Sequence, residues 1–197
     1  MADQVDEAPG WASIEAAFSA AYPGVEPRHY APGPPVSLGG MLDGVSAYET
    51  SKGWHLVTFG LTELYAKESG DPQVSGWGYE LTLRTLGADE PQGWALELLL
   101  AVAQVTQERG VVFGDGHRLD VGGTIGGDRS PLSAVAFTRD RGTQPRLFPF
   151  GHYALLQMVG VTLSELQDMQ ASSTDAVLRR LAEQDHELRT DPARRAA

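Results

Sequence analysis

The chain has no cysteine. Disulfides, zinc–thiolate centres and a cysteine nucleophile are therefore excluded. It also lacks any apolar run near the roughly 20 residues that cross a bilayer, so no membrane span is expected. The start, MADQVDEAPG, has no apolar h-region and does not read as a secretory leader, which makes the cytoplasm the expected location. Basic residues are scarce: Lys and Arg number 15 against 26 Asp and Glu, a formal net charge of −11. A surface of that sign repels phosphate backbones, and nucleic-acid binding is not expected. The same charge either steers a basic protein partner or serves solubility alone.

What is present is a set of clear local periodicities. In SGWGYELTLRTL (Ser75 to Leu86), Tyr79, Leu81 and Leu83 alternate with Glu80, Thr82 and Arg84. Period two predicts a half-buried strand with one apolar and one polar face. Gly76 and Gly78 flank Trp77 and let the backbone turn sharply there. Glu80 and Arg84 lie on one face roughly 13 Å apart, so they cannot pair with each other, and each could pair with a neighbouring strand. Upstream, Trp11, Ile14, Phe18 and Tyr22 form one helical stripe that Pro23-Gly24 ends. Arg28 to Tyr30 reads as a short strand and Pro32 to Pro35 as an extended loop. Val45 to Thr50 and Trp54 to Leu61 read as strands joined by a short hairpin loop. Ala66 to Val74 reads as an exposed loop with a turn at Gly70-Asp71-Pro72.

Downstream, Pro91 to Arg109 predicts a deeply buried helix, with Pro91 in its first turn and Gly110 as its left-handed stop. Leu119 and Val121 suggest a short strand, Ser133 to Thr138 another, and Pro145 to Val161 an extended apolar run. Thr162 and Glu165 match a capping box for a helix over Leu163 to Gln170. Asp175 to Leu188 predicts a last amphipathic helix, followed by a tail from Arg189 expected to fray. Residues 1–10 are expected to be disordered, 11–170 to form the domain, and 171–197 to supply the C-terminal helix and tail.

Catalytic patterns are as scarce as cations. The glycines of Gly122 to Gly127 have no GK[ST] ending, so a turn is expected rather than a phosphate loop. Asp115, Asp120 and Asp128 do not have EF-hand spacing. The five histidines, His29, His55, His117, His152 and His186, include no i,i+4 helical pair of the zinc-protease kind. No metal or cofactor is expected. A base at His117 or His152 acting on Ser130 or Ser133 is conceivable, without the GxSxG elbow. Glu63 and Glu80 form a carboxylate pair only if the fold unites them; surface charge or a structural hydrogen bond is the plainer role for each.

Three stretches together resemble the Suppressor of fused family. FGLTELY (Phe59 to Tyr65) resembles its Phe-Gly-Leu-Ser/Thr-Asp/Glu-Leu-Tyr segment. SGWGYELTLR resembles its Ser-Gly-aromatic-Gly-aromatic-Glu-Leu-Thr strand. Pro149-Phe150-Gly151 followed by LLQMVGVT (Leu155 to Thr162) resembles its Pro-Phe-Gly and Leu-Gln-Ile-Val-Gly-Val-Thr run. The helix near Trp94 is similar to its Trp-Pro-Ala-Glu-Leu helix, with Ala95 in place of the proline. The resemblance spans about Trp11 to Gln170. It implies an α+β (mixed α/β) domain, a central mixed sheet flanked by helices, with no catalytic activity. Animal members have two lobes that clamp a short transcription-factor peptide as an added strand, and this chain resembles the N-terminal lobe. Tyr65 matches a tyrosine lining that peptide site; the acidic residue of the following loop aligns with Pro72, one place from Asp71. Single-domain members are similar to bacterial proteins, some proposed as immunity proteins.

The resulting expectation is a non-enzymatic protein-interaction module, in its sharper form a bacterial immunity protein that neutralises a basic toxin. Its binding residues are Tyr65, Asp71 and Trp77, the last either an exposed aromatic anchor or a core residue. The alternative is a hydrolase using His117 or His152. Partner identity and oligomeric state stay open.

Overall fold

Alternation of apolar and polar residues builds a single seven-stranded sheet in the order β1-β2-β3-β4-β7-β6-β5. The structure, a computed structural model, describes residues 8–31, 42–87 and 89–195. Of residues 1–10, expected to be disordered, 1–7 fall outside the described residues, as does the Pro32 to Pro35 loop, while Pro9 and Gly10 are instead ordered as the first turn of a helix, with Gly10 buried. Helix α1 (Pro9–Ala21) precedes β1 (Arg28–Tyr30), β2 (Gly44–Thr50), β3 (Gly53–Phe59) and β4 (Val74–Leu86). Helix α2 (Gly93–Arg109), β5 (Arg118–Asp120), β6 (Leu132–Arg139), β7 (His152–Thr162), α3 (Leu163–Ala171) and α4 (Thr174–Gln184) follow. Strands β1 to β4 form an antiparallel meander. Strand β7 joins β4 in parallel, and β6 and β5 continue antiparallel beyond it. The sheet is therefore mixed, as expected.

The two faces are covered by different helices. On one face, α2 packs Ala95, Leu98, Leu99, Val102 and Ala103 against Leu56, Tyr79, Leu81, Leu83, Phe137 and Met158. Pro91 and Gln92 precede this helix rather than opening it, and Gly110 ends it with φ 66°. On the other face, α1 sets Ile14, Ala17 and Phe18 against Tyr48, Val57 and Phe59. Helices α3 and α4 bury Leu166, Met169, Val177, Leu178 and Leu181 against Ala134, Ala136, Val159 and Val161 beside it. The last helix thus packs on its own domain. The capping box forms: the Thr162 hydroxyl accepts from the Glu165 N–H at 3.2 Å, and Glu165 accepts from the Thr162 N–H at 2.9 Å.

Two expectations are corrected. Strand β4 is buried on both faces, not one: Glu80, Thr82 and Arg84 are as enclosed as the leucines between them. Their face is roofed, and each polar group has found a partner there, which is what makes burial tolerable. The Asp140 carboxylate lies 3.0 Å from Arg84 and 2.8 Å from His55, and accepts from Thr82 at 3.1 Å. The Tyr22 hydroxyl closes the cluster, 2.9 Å from both Arg84 and His55. The second correction concerns the C-terminus. Helix α4 stops at Gln184, and the segment beyond it is held to the sheet instead of fraying. The Thr190 N–H donates to the Arg84 carbonyl at 2.7 Å, its hydroxyl accepts from Gly160 N–H at 2.9 Å, and Arg194 pairs with the buried Glu165.

Candidate functional site

The connection from β3 to β4 and the first half of β4 are locked together by one carboxylate and one close backbone approach. Strand β3 leaves β4 at Thr58, whose hydroxyl takes the ladder's place by accepting from the Leu81 N–H at 2.9 Å. Beyond it, Glu80 reaches back from β4 and accepts four hydrogen bonds: the Thr58 hydroxyl at 2.6 Å, the Gly60 N–H at 3.0 Å, and the Thr62 N–H and hydroxyl at 2.8 Å each. From the other side, Trp77 N–H donates to the Leu61 carbonyl at 2.8 Å. That approach requires glycine at 76, which has φ 53° and would place a Cβ 2.4 Å from the Leu61 oxygen. Two of the sequence motifs are therefore a single interlocked unit.

The next turn is organised by Glu63. Its carboxylate accepts from the Glu68 and Ser69 N–H groups and meets Lys67 Nζ at 2.9 Å. Burial alone would raise its carboxyl, but these donors outweigh burial and hold it down at about 2. The turn pushes Tyr65 outward, leaving it 56% exposed. Its phenol is raised by partial burial and by the charge of Asp43, a residue of the same rim.

Between these walls lies a concavity of about 660 Å³, lined by Asp43, Leu61, Leu64, Tyr65, Glu68 and Trp77 among others. Of the three expected site residues, Tyr65 and Trp77 meet here. Trp77 lies between the two placements considered for it: half-buried, it packs on the α2-side core and also lines the concavity. Asp71 is exposed but absent from this lining; its carboxylate accepts from Gln73 N–H at 2.8 Å and shapes its own turn. Sequence reasoning missed Asp43 and Glu68 on the rim, which carry no local signature. Glu80 had one signal, a glutamate amid β-branched and aromatic strand residues, where that residue type is depleted.

The histidines do not assemble the arrangement a hydrolase would need. His117 and His152 are exposed; the His152 ring packs on Phe148 at 4.7 Å, and no side-chain hydrogen bond joins either to a serine or carboxylate among the described residues. The Ser130 hydroxyl accepts from Leu132 N–H at 3.2 Å. His29 bonds Ser46 at 2.7 Å. Burial pushes the imidazole of the wholly enclosed His55 below its ordinary pKa, outweighing the opposing pull of Asp140. Glu63 and Glu80 serve separate turns and do not pair. Among the described residues no helix is long and apolar enough to cross a membrane.

The family model described as Suppressor of fused protein (SUFU) matches residues 41–195. The Suppressor of fused homolog of Homo sapiens is 30% identical over 133 residues, which is 64% of this chain and 28% of that protein; the Mus musculus homolog matches equally. The chain thus spans little more than a quarter of these relatives. Among solved structures, Drosophila Suppressor of Fused superposes with a TM-score of 0.86 at 24% identity, over 97% of this chain and 51% of that one. A Sufu–Fu complex gives 0.81 at 24% identity, over 94% and 91%. A SUFU homolog of Neisseria gonorrhoeae gives 0.64 at 12% identity, over 94% of each chain. These likenesses establish the α+β fold. The family is regulatory and non-enzymatic.

Proposed function

Because the chain belongs to the Suppressor of fused family, we propose that it is a non-enzymatic protein-interaction module whose binding surface is the concavity between Tyr65 and Trp77. The observation that carries this reading is the make-up of the lining. Its aromatic walls are accompanied by Asp43, Glu63 and Glu68, and among the described residues no Lys, Arg or His lines it. Aromatic faces beside carboxylates favour a cationic side chain, and a rim of one sign favours a partner of the other. The relative solved as a Sufu–Fu complex supports a protein as the occupant. With a net charge of −11, the partner proposed is a basic protein met in the cytoplasm. The specific form is an immunity protein that neutralises a basic toxin.

The test is capture of partners from native extract by wild type, Tyr65→Ala, Trp77→Ala and Asp71→Ala. A basic protein retained by wild type, lost with Tyr65→Ala or Trp77→Ala and released by salt supports the reading. Retention indifferent to both aromatic changes overturns the placement of the site. Loss with Asp71→Ala alone moves the site to the 70–73 turn. If cells expressing the captured partner grow no better with this chain than without it, the immunity role fails while the interaction role stands.

A further inference from the structure

Resting on that reading of the surface, the geometry points to Glu80 as its positioning residue: the buried carboxylate holds the 58–62 wall in the shape that presents Tyr65 and Trp77, and proton uptake by it reshapes the wall. Glu80 does not line the concavity. It stands behind it, on strand β4 beyond Trp77, and grips the backbone of two residues that do line it, Gly60 and Thr62. The hold is one-sided. All four contacts come from neutral donors, so each requires a lone pair on the carboxylate. A proton on Oε1 would turn an acceptor toward three donors into a donor; a proton on Oε2, which the Thr58 hydroxyl accepts by turning, keeps those three contacts but removes the charge that strengthens them.

The surroundings make proton uptake accessible near neutrality. Glu80 is fully enclosed, and no cation pairs with it among the described residues. Among the described residues, β3 offers it the Thr58 hydroxyl and the connection offers Gly60 and Thr62, none ionisable. Strand β7 brings the Tyr153 phenol, pushed up to about 12 by burial, with the Glu80 charge adding to the rise. Tyr79, beside Glu80 on β4, is likewise raised, chiefly by burial. Helix α1 reaches this region through Ser13, which is bonded to Tyr153 at 2.7 Å. Burial pushes the Glu80 carboxyl up to about 7, against the opposing hydrogen bonds of Thr58, Thr62 and Gly60. In the ionised form charge-assisted bonds hold the wall; in the protonated form the same hold is weakened and the wall loosens.

The experiment is an NMR titration of the free protein from pH 5 to 9, following the Glu80 carboxyl carbon, the Gly60 and Thr62 amides and the Trp77 indole. The expected result is one shared midpoint for all four probes in wild type and loss of that step from the amides and the indole in Glu80→Gln. Thr62→Val removes one donor to the ionised form and should move the shared midpoint upward, and it serves also if Glu80→Gln does not fold. A Glu80 step that the amides or the indole do not follow overturns the proposal. So does the absence of a step in this range, or an unchanged indole step in Glu80→Gln. The titration needs no partner, so its failure leaves the capture experiment standing. Conversely, a shared midpoint with no captured partner would uphold the latch and remove only the function assigned to the surface.

Discussion

Gly76 and Leu61 meet at a distance that only glycine allows. A Cβ at 76 would sit 2.4 Å from the Leu61 carbonyl oxygen and 2.9 Å from the Thr62 Cα, both backbone atoms with no room to yield. Gly76→Ala is expected to cost more than the ~1–2 kcal/mol of left-handed strain alone. Gly24→Ala isolates that strain, since Gly24 has φ 78° with nothing within 4 Å. Urea unfolding of the two variants should show Gly76→Ala the more destabilised. Equal losses would mean that the close approach contributes nothing.

Asp140 is, among the described residues, the acidic partner inside the cluster formed by Arg84, His55 and Tyr22, with Glu187 at 3.8 Å from Arg84 on its outer side. Asp140→Ala strands an enclosed guanidinium and should cost about 3–5 kcal/mol. Arg84→Met in the same chain should restore part of that loss, because the buried charge leaves with it. A double-mutant cycle by chemical denaturation checks this. Additive losses would show that the pair is not coupled.

The pH dependence of stability should have two limbs of opposite sign. Glu80 is raised from 4.5 to about 7 in the fold, so the folded state binds the extra proton between these values and stability from this group falls as pH rises from about 4.5 to about 7. Glu63 is depressed from 4.5 to about 2, and Asp140 is held below the ordinary carboxylate range, against its own burial, by His55 and Arg84. Their contributions are complete above the unfolded values and are lost as pH falls through the folded ones. Thermal melts across pH should therefore peak in mild acid. Glu80→Gln should flatten the limb above the peak and leave the acid limb in place.

Thr190 fastens the C-terminal segment by supplying the acceptor for the Gly160 N–H at 2.9 Å. Thr190→Val keeps the volume, removes the acceptor and leaves a buried N–H unpaired, at an expected cost of about 1–3 kcal/mol. Hydrogen exchange should accelerate at Gly160 first. An unchanged rate there would show that the segment does not seal β7.

Much of the fold was legible because its signals are local. The Thr162–Glu165 capping box, the Gly110 stop, the β2–β3 hairpin and the short strand at Arg28–Tyr30 each depend on residues within a few positions of one another. Helix ends were read less well. Pro91 suits a first turn by propensity, yet the chain enters α2 two residues later. Leu188 continues the apolar stripe of α4, but it has φ 52° and packs after the helix has ended. The burial of the polar face of β4 was not legible at all. Alternation reports that two faces differ and not what covers the second one.

The same division runs through the candidate site. Tyr65 and Trp77 were identified from motifs within their own stretches, and the family match needed no coordinates. Local pattern thus established the strands, the caps, the acidic charge and the kinship, since each depends on composition or near-neighbour spacing. Contacts across the sheet established the rest: Glu80 as the clamp on residues 58–62, Asp140 as the counter-charge 56 positions from Arg84, and Asp71 outside the concavity that Tyr65 and Trp77 share. Such partners are chosen by strand order and by the need to satisfy every buried polar group, and neither is written in any single stretch of chain.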